Sequence, residues 1–199
     1  MSEKGKLIVI SGPSGAGKSS VVSRAIAGRE DVCFSTSVTT RSPRPGEVDG
    51  REYFFIDRER FDEMVEKDEL LEHAVYVSNC YGTPRAFVED KLAEGLNVLL
   101  DIEVQGARQV REKVPEAVKI FVVPPTLEEL RRRLVNRGTE SAETIENRLI
   151  RARQEYGEAT FYDYIIVNDV LDVAAQELAA IITAEHCRAA DRMAYLENV

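Results

Sequence analysis

Lys6-Leu7-Ile8-Val9-Ile10-Ser11-Gly12-Pro13-Ser14-Gly15-Ala16-Gly17-Lys18-Ser19-Ser20 decides how this chain is read. It opens on a short apolar run, passes through G-x-x-x-x-G-K-S, and continues into Val21-Val22-Ser23-Arg24-Ala25-Ile26-Ala27, stopped by Gly28. Buried strand, glycine-rich loop and helix, in that order, are the setting in which this motif cradles the phosphates of a nucleoside triphosphate. Gly12, Gly15 and Gly17 permit backbone angles closed to other residues and let N–H groups approach an anion. The helix N-terminus adds unpaired N–H groups and a positive dipole end. Lys18 suits the β- and γ-phosphates, and the Ser19 hydroxyl suits Mg²⁺.

Working outward, the chain of 199 residues is long enough for one substantial core with lobes attached. Its 44% hydrophobic and 31% charged content is that of a soluble globular protein. A net charge of -9 argues against nucleic acid or an anionic membrane as partner. Any phosphate it binds must therefore be held by a local cluster of cations. There is no apolar run of about 18 residues, and Met1-Ser2-Glu3-Lys4-Gly5 lacks the apolar segment of a signal peptide. Cys33, Cys80 and Cys187 are scattered without metal-ligand spacing, which suits a reducing cytoplasm. His73 and His186 lie far apart and read as packed or solvated side chains.

The elements expected along the chain alternate between strand and helix. Val32 to Thr40 reads as one strand, 41–50 as a loop stiffened by Pro43 and Pro45, and Tyr53 to Ile56 as a strand. Asp57 can cap a helix through Phe61, Met64 and Val65, and Leu70 to Val77 reads as another strand. Cys80 to Pro84 reads as a turn, with Pro84 opening a helix to about Ala93. Buried strands are expected at Leu96–Ile102, Val118–Val123 and Tyr164–Val167. Helices are expected from Gly106 to Lys113, from Leu127 to about Asn136 (Thr126 as cap, Glu129 at the capping-box position) and from about Ala142 to Glu155. The stretch from about Asp172 to Leu196 reads as one long helix. The fold class that follows is α/β, a three-layer P-loop core with a parallel sheet. Two inserted segments interrupt it, a strand-rich lobe and an arginine-dense helical lid.

Asp101 ends a buried strand, where ligand-facing residues of an open parallel sheet lie, and can serve Mg²⁺. Arg131, Arg132, Arg133, Arg137, Arg148, Arg151 and Arg153 fall on two helices joined at Gly138-Thr139. Arg133 and Arg137 share a face by the i, i+4 rule. A flap that brings arginines to a transferring phosphoryl group supplies positive charge and excludes water. Arg41 and Arg44 flank a proline, two forks that suit a phosphate dianion. Glu72 sits within an apolar strand, a costly place for a carboxylate without a partner.

These residues resemble the guanylate kinases, which phosphorylate GMP with ATP. The resemblance runs from about Lys6 to about Asp169. It rests on the P-loop, on Ser37-Val38-Thr39-Thr40-Arg41-x-x-Arg44-x-Gly46-Glu47-x-x-Gly50-x-x-Tyr53, and on Glu72. Tyr81-Gly82-Thr83, Asp101-Ile102-Glu103-Val104-Gln105-Gly106 and Arg137-Gly138-Thr139-Glu140 follow in order. The resemblance implies that Gly12, Pro13, Ser14, Gly15, Ala16, Gly17, Lys18, Ser19 and Ser20 hold ATP, with Asn168 near the adenine. It implies that Arg41, Arg44, Tyr53 and Tyr81 hold the GMP phosphate and that Ser37, Glu72, Thr83 and Glu103 read the guanine. Ser19 and Asp101 would serve Mg²⁺, and Lys18, Arg41, Arg133, Arg137 and Arg148 would be catalytic. One domain spanning 1–199 is expected, with a core of 1–34, 96–125 and 159–199, a GMP-binding lobe at 35–95 and a lid at 126–158. Cys80 stands where the family leads one to expect an aromatic residue. The C-terminal helix could pack on the core or on a second copy, so a homo-oligomer is left open.

Overall fold

The computed structural model of the protein describes residues 4–76, 78–136 and 141–196. The first elements are β1 (Leu7–Ser11), α1 (Lys18–Ala25), β2 (Val32–Phe34), β3 (Val38–Thr39), β4 (Phe54–Phe55) and α2 (Arg58–Glu66). Then come β5 (Leu70–Tyr76), β6 (Asn79–Pro84), α3 (Arg85–Ala93), β7 (Asn97–Asp101), α4 (Val104–Lys113) and β8 (Val118–Val123). The chain closes with α5 (Leu127–Asn136), α6 (Ala142–Tyr156), β9 (Tyr164–Val167), α7 (Leu171–Glu185) and α8 (Ala189–Leu196). Five strands are ordered β2-β7-β1-β8-β9 and four more β4-β3-β6-β5. β2 pairs with β7, and β8 with β9, in parallel. All five residues of β1 are buried, which is why it reads as an unbroken apolar run and does not alternate. Contacts group the chain into two compact units, Met1–Val9 with Glu30–Ala117, and Ile10–Arg29 with Val118–Val199.

In the first unit, β3 pairs with β4 in parallel and with β6 antiparallel, and β5 pairs antiparallel with β6. Val38, Phe61, Met64, Leu70 and Cys80 form its apolar cluster, so Cys80 serves as a small buried packing residue. The Asp57 carboxylate accepts from Arg60 N at 2.7 Å and starts α2, as expected. In the second unit α1 buries Val21, Val22 and Ala25. Leu130, Leu134, Ile145, Leu149 and Ala152 join α5 to α6. Thr126 Oγ1 accepts from Glu129 N at 3.0 Å, and Ser141 Oγ from Thr144 N at 3.2 Å.

Three expectations are corrected. Val32 to Thr40 is not one strand. Ser35 N donates to Leu99 O at 3.1 Å, beside β7, and Phe54 N donates to Ser37 O at 2.9 Å. The stretch therefore leaves one sheet at Phe34 and enters the other at Val38. Cys80 to Pro84 is strand β6, reached through a hairpin with Ser78 at φ 67°. Gly82 is there because a Cβ would lie 2.8 Å from Leu70 Cδ1, while Pro84 ends the strand and, as expected, stands at the start of the helix that runs to Ala93. The C-terminal helix is two. Arg188 donates twice to the buried Glu185 carboxylate, at 2.6 and 2.8 Å, and Arg192 Nε takes the His186 carbonyl at 2.9 Å. Those bonds stabilise a break between Glu185 and Ala189. Val77 and the lid motif 137–140 lie outside the described residues.

Asn97, 1% exposed, fastens the first unit. Its Oδ1 accepts from Lys6 N at 3.0 Å and its Nδ2 donates to Asp31 O at 3.1 Å. Asn97→Ala removes the bond to Lys6 N, while Asp31 O keeps the backbone N–H of residue 97 at 2.8 Å, and a loss of about 1–3 kcal/mol is expected. Urea unfolding checks this as a lowered midpoint at unchanged slope.

Candidate active site

The phosphate loop in the second unit is shaped by residues without room for side chains. Gly12, Gly15 and Gly17 have φ of 145°, 94° and 88°. A Cβ on Gly12 would lie 2.0 Å from Val122 O, and one on Gly17 2.4 Å from Asn168 Nδ2. Gly17 caps the start of α1, so Lys18, Ser19 and Ser20 form its first turn. Lys18 Nζ folds back onto the Gly12 carbonyl at 2.8 Å. Ser14, Ser19 and Ser20 are exposed, while Pro13 and Ala16 are buried.

Three of the remotely placed residues assigned to this site converge on the loop. Asn168, 6% exposed, donates Nδ2 to the Ala16 carbonyl at 2.8 Å. Its amide nitrogen is thereby committed to the loop. Arg133 donates Nη1 to the same carbonyl at 3.2 Å and Nη2 to Asn168 O at 2.8 Å. Arg148 Nη1 donates to Ser14 Oγ. Arg137 lies outside the described residues. Glu129, read from sequence only as a capping-box residue, holds Arg132 at 2.7 and 2.8 Å and Arg133 at 2.7 Å. Those two guanidinium groups pull its carboxyl down to about 2. The i, i+4 spacing to Arg133 was the signal for this pair.

The first unit carries the other half of the assigned residues. A cleft of about 170 Å³ is lined by Ser35, Ser37, Glu52, Tyr53, Thr83 and Asp101, among others. Ser37, Tyr53, Thr83 and Asp101 are thus brought together. Glu72 joins them through Thr83, whose Oγ1 donates to Glu72 Oε1 at 2.7 Å. Glu72 is 6% exposed. Burial pushes its carboxyl above the usual carboxylate range, and the nearby Glu103 charge adds to the rise. The Thr83 hydroxyl works against it. Glu103 itself stands at the start of α4.

Arg41 is held before any anion arrives. Its Nη1 and Nη2 donate to Glu47 at 3.0 and 2.8 Å, and it sits 5.5 Å from the centre of the Tyr53 ring. The hydrogen bonds to Glu47 hold the Arg41 guanidinium above its usual range, and the same bonds, with the Arg44 backbone N–H, lower Glu47. Arg44 donates its backbone N to Glu47 at 2.7 Å and leaves its side chain exposed. Tyr53 and Tyr81 meet edge to face at 6.0 Å. Glu47 was quoted within the motif but given no role. Its reach to Arg41 depends on the turn that Gly46 makes at φ 89°.

The arrangement offers a cradle for a polyphosphate and, separately, a cationic and aromatic cluster beside a buried carboxylate. The guanylate kinase family model matches residues 4–185. The guanylate kinase of Lactococcus lactis is 52% identical over 188 residues, which is 94% of this chain and 92% of that protein. That of Streptococcus thermophilus is 51% identical over an alignment of 201 residues, covering 100% and 96%. The crystal structure of guanylate kinase from Anaplasma phagocytophilum matches with a TM-score of 0.69 at 35% identity, over 94% of this chain and 88% of that one. With the match carried across nearly its whole length, the chain belongs to the guanylate kinase family.

Proposed function

We propose that this chain transfers the γ-phosphoryl group of ATP to GMP, giving ADP and GDP. The observation that carries the reading is the buried Glu72 carboxylate, bonded to a neutral hydroxyl beside the cleft. Guanine presents N1–H and N2–H₂ as adjacent donors, and one carboxylate accepts both. Adenine presents an acceptor at N1 and no donor at position 2. AMP would leave the carboxylate buried and unmatched, at a cost of about 1–3 kcal/mol or more. Sites built on such matching discriminate by roughly 10⁴–10⁵. Ser37, Thr83 and Glu103 complete the base reading, and Arg41, Arg44, Tyr53 and Tyr81 hold the monophosphate.

Residues Gly12 to Ser20 hold the ATP phosphates through the loop N–H groups and Lys18, and Asn168 acts through the Ala16 carbonyl. A GMP phosphate oxygen is already anionic and attacks the γ-phosphorus in line. The bond from that phosphorus to the bridging oxygen breaks, and its electron pair leaves with ADP. No protein base is required. Lys18, Arg41, Arg133, Arg137 and Arg148 stabilise the spreading charge. Ser19 and Asp101 each present an exposed hard oxygen, at the first turn of α1 and the end of β7. Among the described residues no group of three or more His, Cys, Asp or Glu gathers as a metal cage. A hydroxyl and a carboxylate are each hard oxygen donors of the kind Mg²⁺ takes beside phosphate and water ligands. When bound, Mg²⁺ neutralises phosphate charge.

We assign phosphoryl donor and acceptor to parts of the chain as the motifs divide it: core 1–34, 96–125 and 159–199, GMP lobe 35–95, lid 126–158. Among the described residues no helix is long and apolar enough to cross a membrane. The free thiols of Cys33, Cys80 and Cys187 suit the reducing cytoplasm.

A coupled assay with ATP and each nucleoside monophosphate tests the reaction, and AMP turned over as readily as GMP would refute it. In Glu72→Gln, kcat/KM for GMP should fall by about 10²-fold or more, with ATP affinity retained. The ionised form of Glu72 opposes folding above the usual carboxylate pKa, because the folded pKa is raised. The variant should therefore melt no lower than the parent at neutral pH, and unchanged GMP kinetics would sink the assignment. Arg133→Lys removes the fork that reaches two carbonyls and Glu129, and kcat should drop by about 10²-fold or more. Glu47→Gln frees Arg41 from its charged anchor, and steady-state kinetics should show the KM for GMP rising several-fold while that for ATP holds.

A further inference from the structure

Helix α4 runs along β5 within the first unit. β5 is the outer strand of its sheet, so its far edge carries backbone groups without a strand to pair them. Gln109 occupies that edge. Its Oε1 accepts from His73 N at 3.1 Å and its Nε2 donates to His73 O at 2.9 Å, the two bonds a neighbouring strand would make. One turn on, Lys113 Nζ donates to Leu70 O at 2.7 Å. Between these anchors the pairing with β6 shifts by one residue, since Leu70 faces Pro84 but His73 faces Gly82. Glu72 lies in that shifted step. An irregularity of this kind re-aims a side chain. On the same face of α4, a Cβ added to Gly106 would lie 2.8 Å from Glu72 Oε2.

We infer that Gln109 and Gly106 are positioning residues for base selection. Gln109 clamps the irregular step of β5, and Gly106 leaves the hollow that receives the Glu72 carboxylate, so the carboxylate meets both guanine donors at once. This rests on Glu72 reading guanine, as proposed above. Neither residue touches the nucleotide in this account. Both act by fixing where Glu72 points. The close atom at Gly106 is the end of a flexible side chain, so an added methyl displaces the carboxylate while the backbone stays in place.

The test uses Gln109→Met, which keeps side-chain length and removes both amide groups, and Gly106→Ala, which substitutes a better helix former. kcat and KM are measured with saturating ATP for GMP and for IMP, whose base lacks the 2-amino group. In each variant the KM for GMP should rise about tenfold, with the KM for ATP held within about twofold. The GMP-to-IMP ratio of kcat/KM should fall about fivefold, because the second donor depends on where the carboxylate sits. An unmoved GMP KM and ratio in both variants overturns the inference. So does an equal proportional loss for GMP and IMP, which is what a purely structural role produces. Glu72→Gln is assayed alongside. A ratio that stays put in that variant removes the underlying reading of Glu72. A ratio that collapses there but holds in the other two removes only the role of α4.

Discussion

A loop that grips phosphate must turn its N–H groups toward the anion, and its carbonyls must then be satisfied on the other side. That constraint organises the second unit. The Ala16 carbonyl takes Asn168 and Arg133, the Gly12 carbonyl takes Lys18, and the Pro13 carbonyl takes Ala16 N at 3.0 Å. The donors come from the end of β9, from α5 and from α1, so three elements meet on five residues. Left-handed backbone at Gly15 and Gly17 makes the turn, and the Val122 carbonyl allows nothing larger than hydrogen at Gly12. Lys18 is the exception in this set. It can exchange a neutral carbonyl for an anionic phosphate oxygen, a stronger partner for a cation.

The acidic balance of the chain has a use at the same scale. Arginine is a flexible side chain, and a guanidinium that must be caught from solution loses much of its value to entropy. Here Glu47 takes one edge of Arg41 and Glu129 takes Nε of Arg133. Each carboxylate uses some of the five N–H donors and orients the rest. Tyr53 and Phe55 add faces to Arg41, with ring centres 5.5 and 5.7 Å from its Cζ. A net charge of -9 is thus compatible with binding two polyanions. Part of the negative charge is spent on holding the positive charge still.

The first strand, the glycine loop and the helix after it were legible from residues 6–28 alone, because the motif dictates its own geometry. The β8 and β9 strands were legible too, β9 as an apolar run and β8 as one interrupted only by Lys119 and stopped by Pro124. The failures have one cause. Where tertiary partners set the local conformation, the residues themselves are silent. His186-Cys187-Arg188 contains no glycine or proline, yet the helix breaks there on the Glu185 and Arg192 bonds. Gly82 looks like turn punctuation, yet it is a strand residue whose missing side chain leaves room for Leu70. In the site, charge-bearing motif residues could be named, but Gln109 could not. Its role comes from pairing with the backbone of a strand 36 positions away, and periodicity does not report that.

Residues 35–37 bond to a strand of one sheet at their start and to a strand of the other at their end, with no slack between. A residue added here would have to bulge into or away from the cleft that Ser35 and Ser37 line, because strand pairing fixes both ends. Variation by insertion, tolerated in most stretches that are neither helix nor strand, would here reshape the cleft.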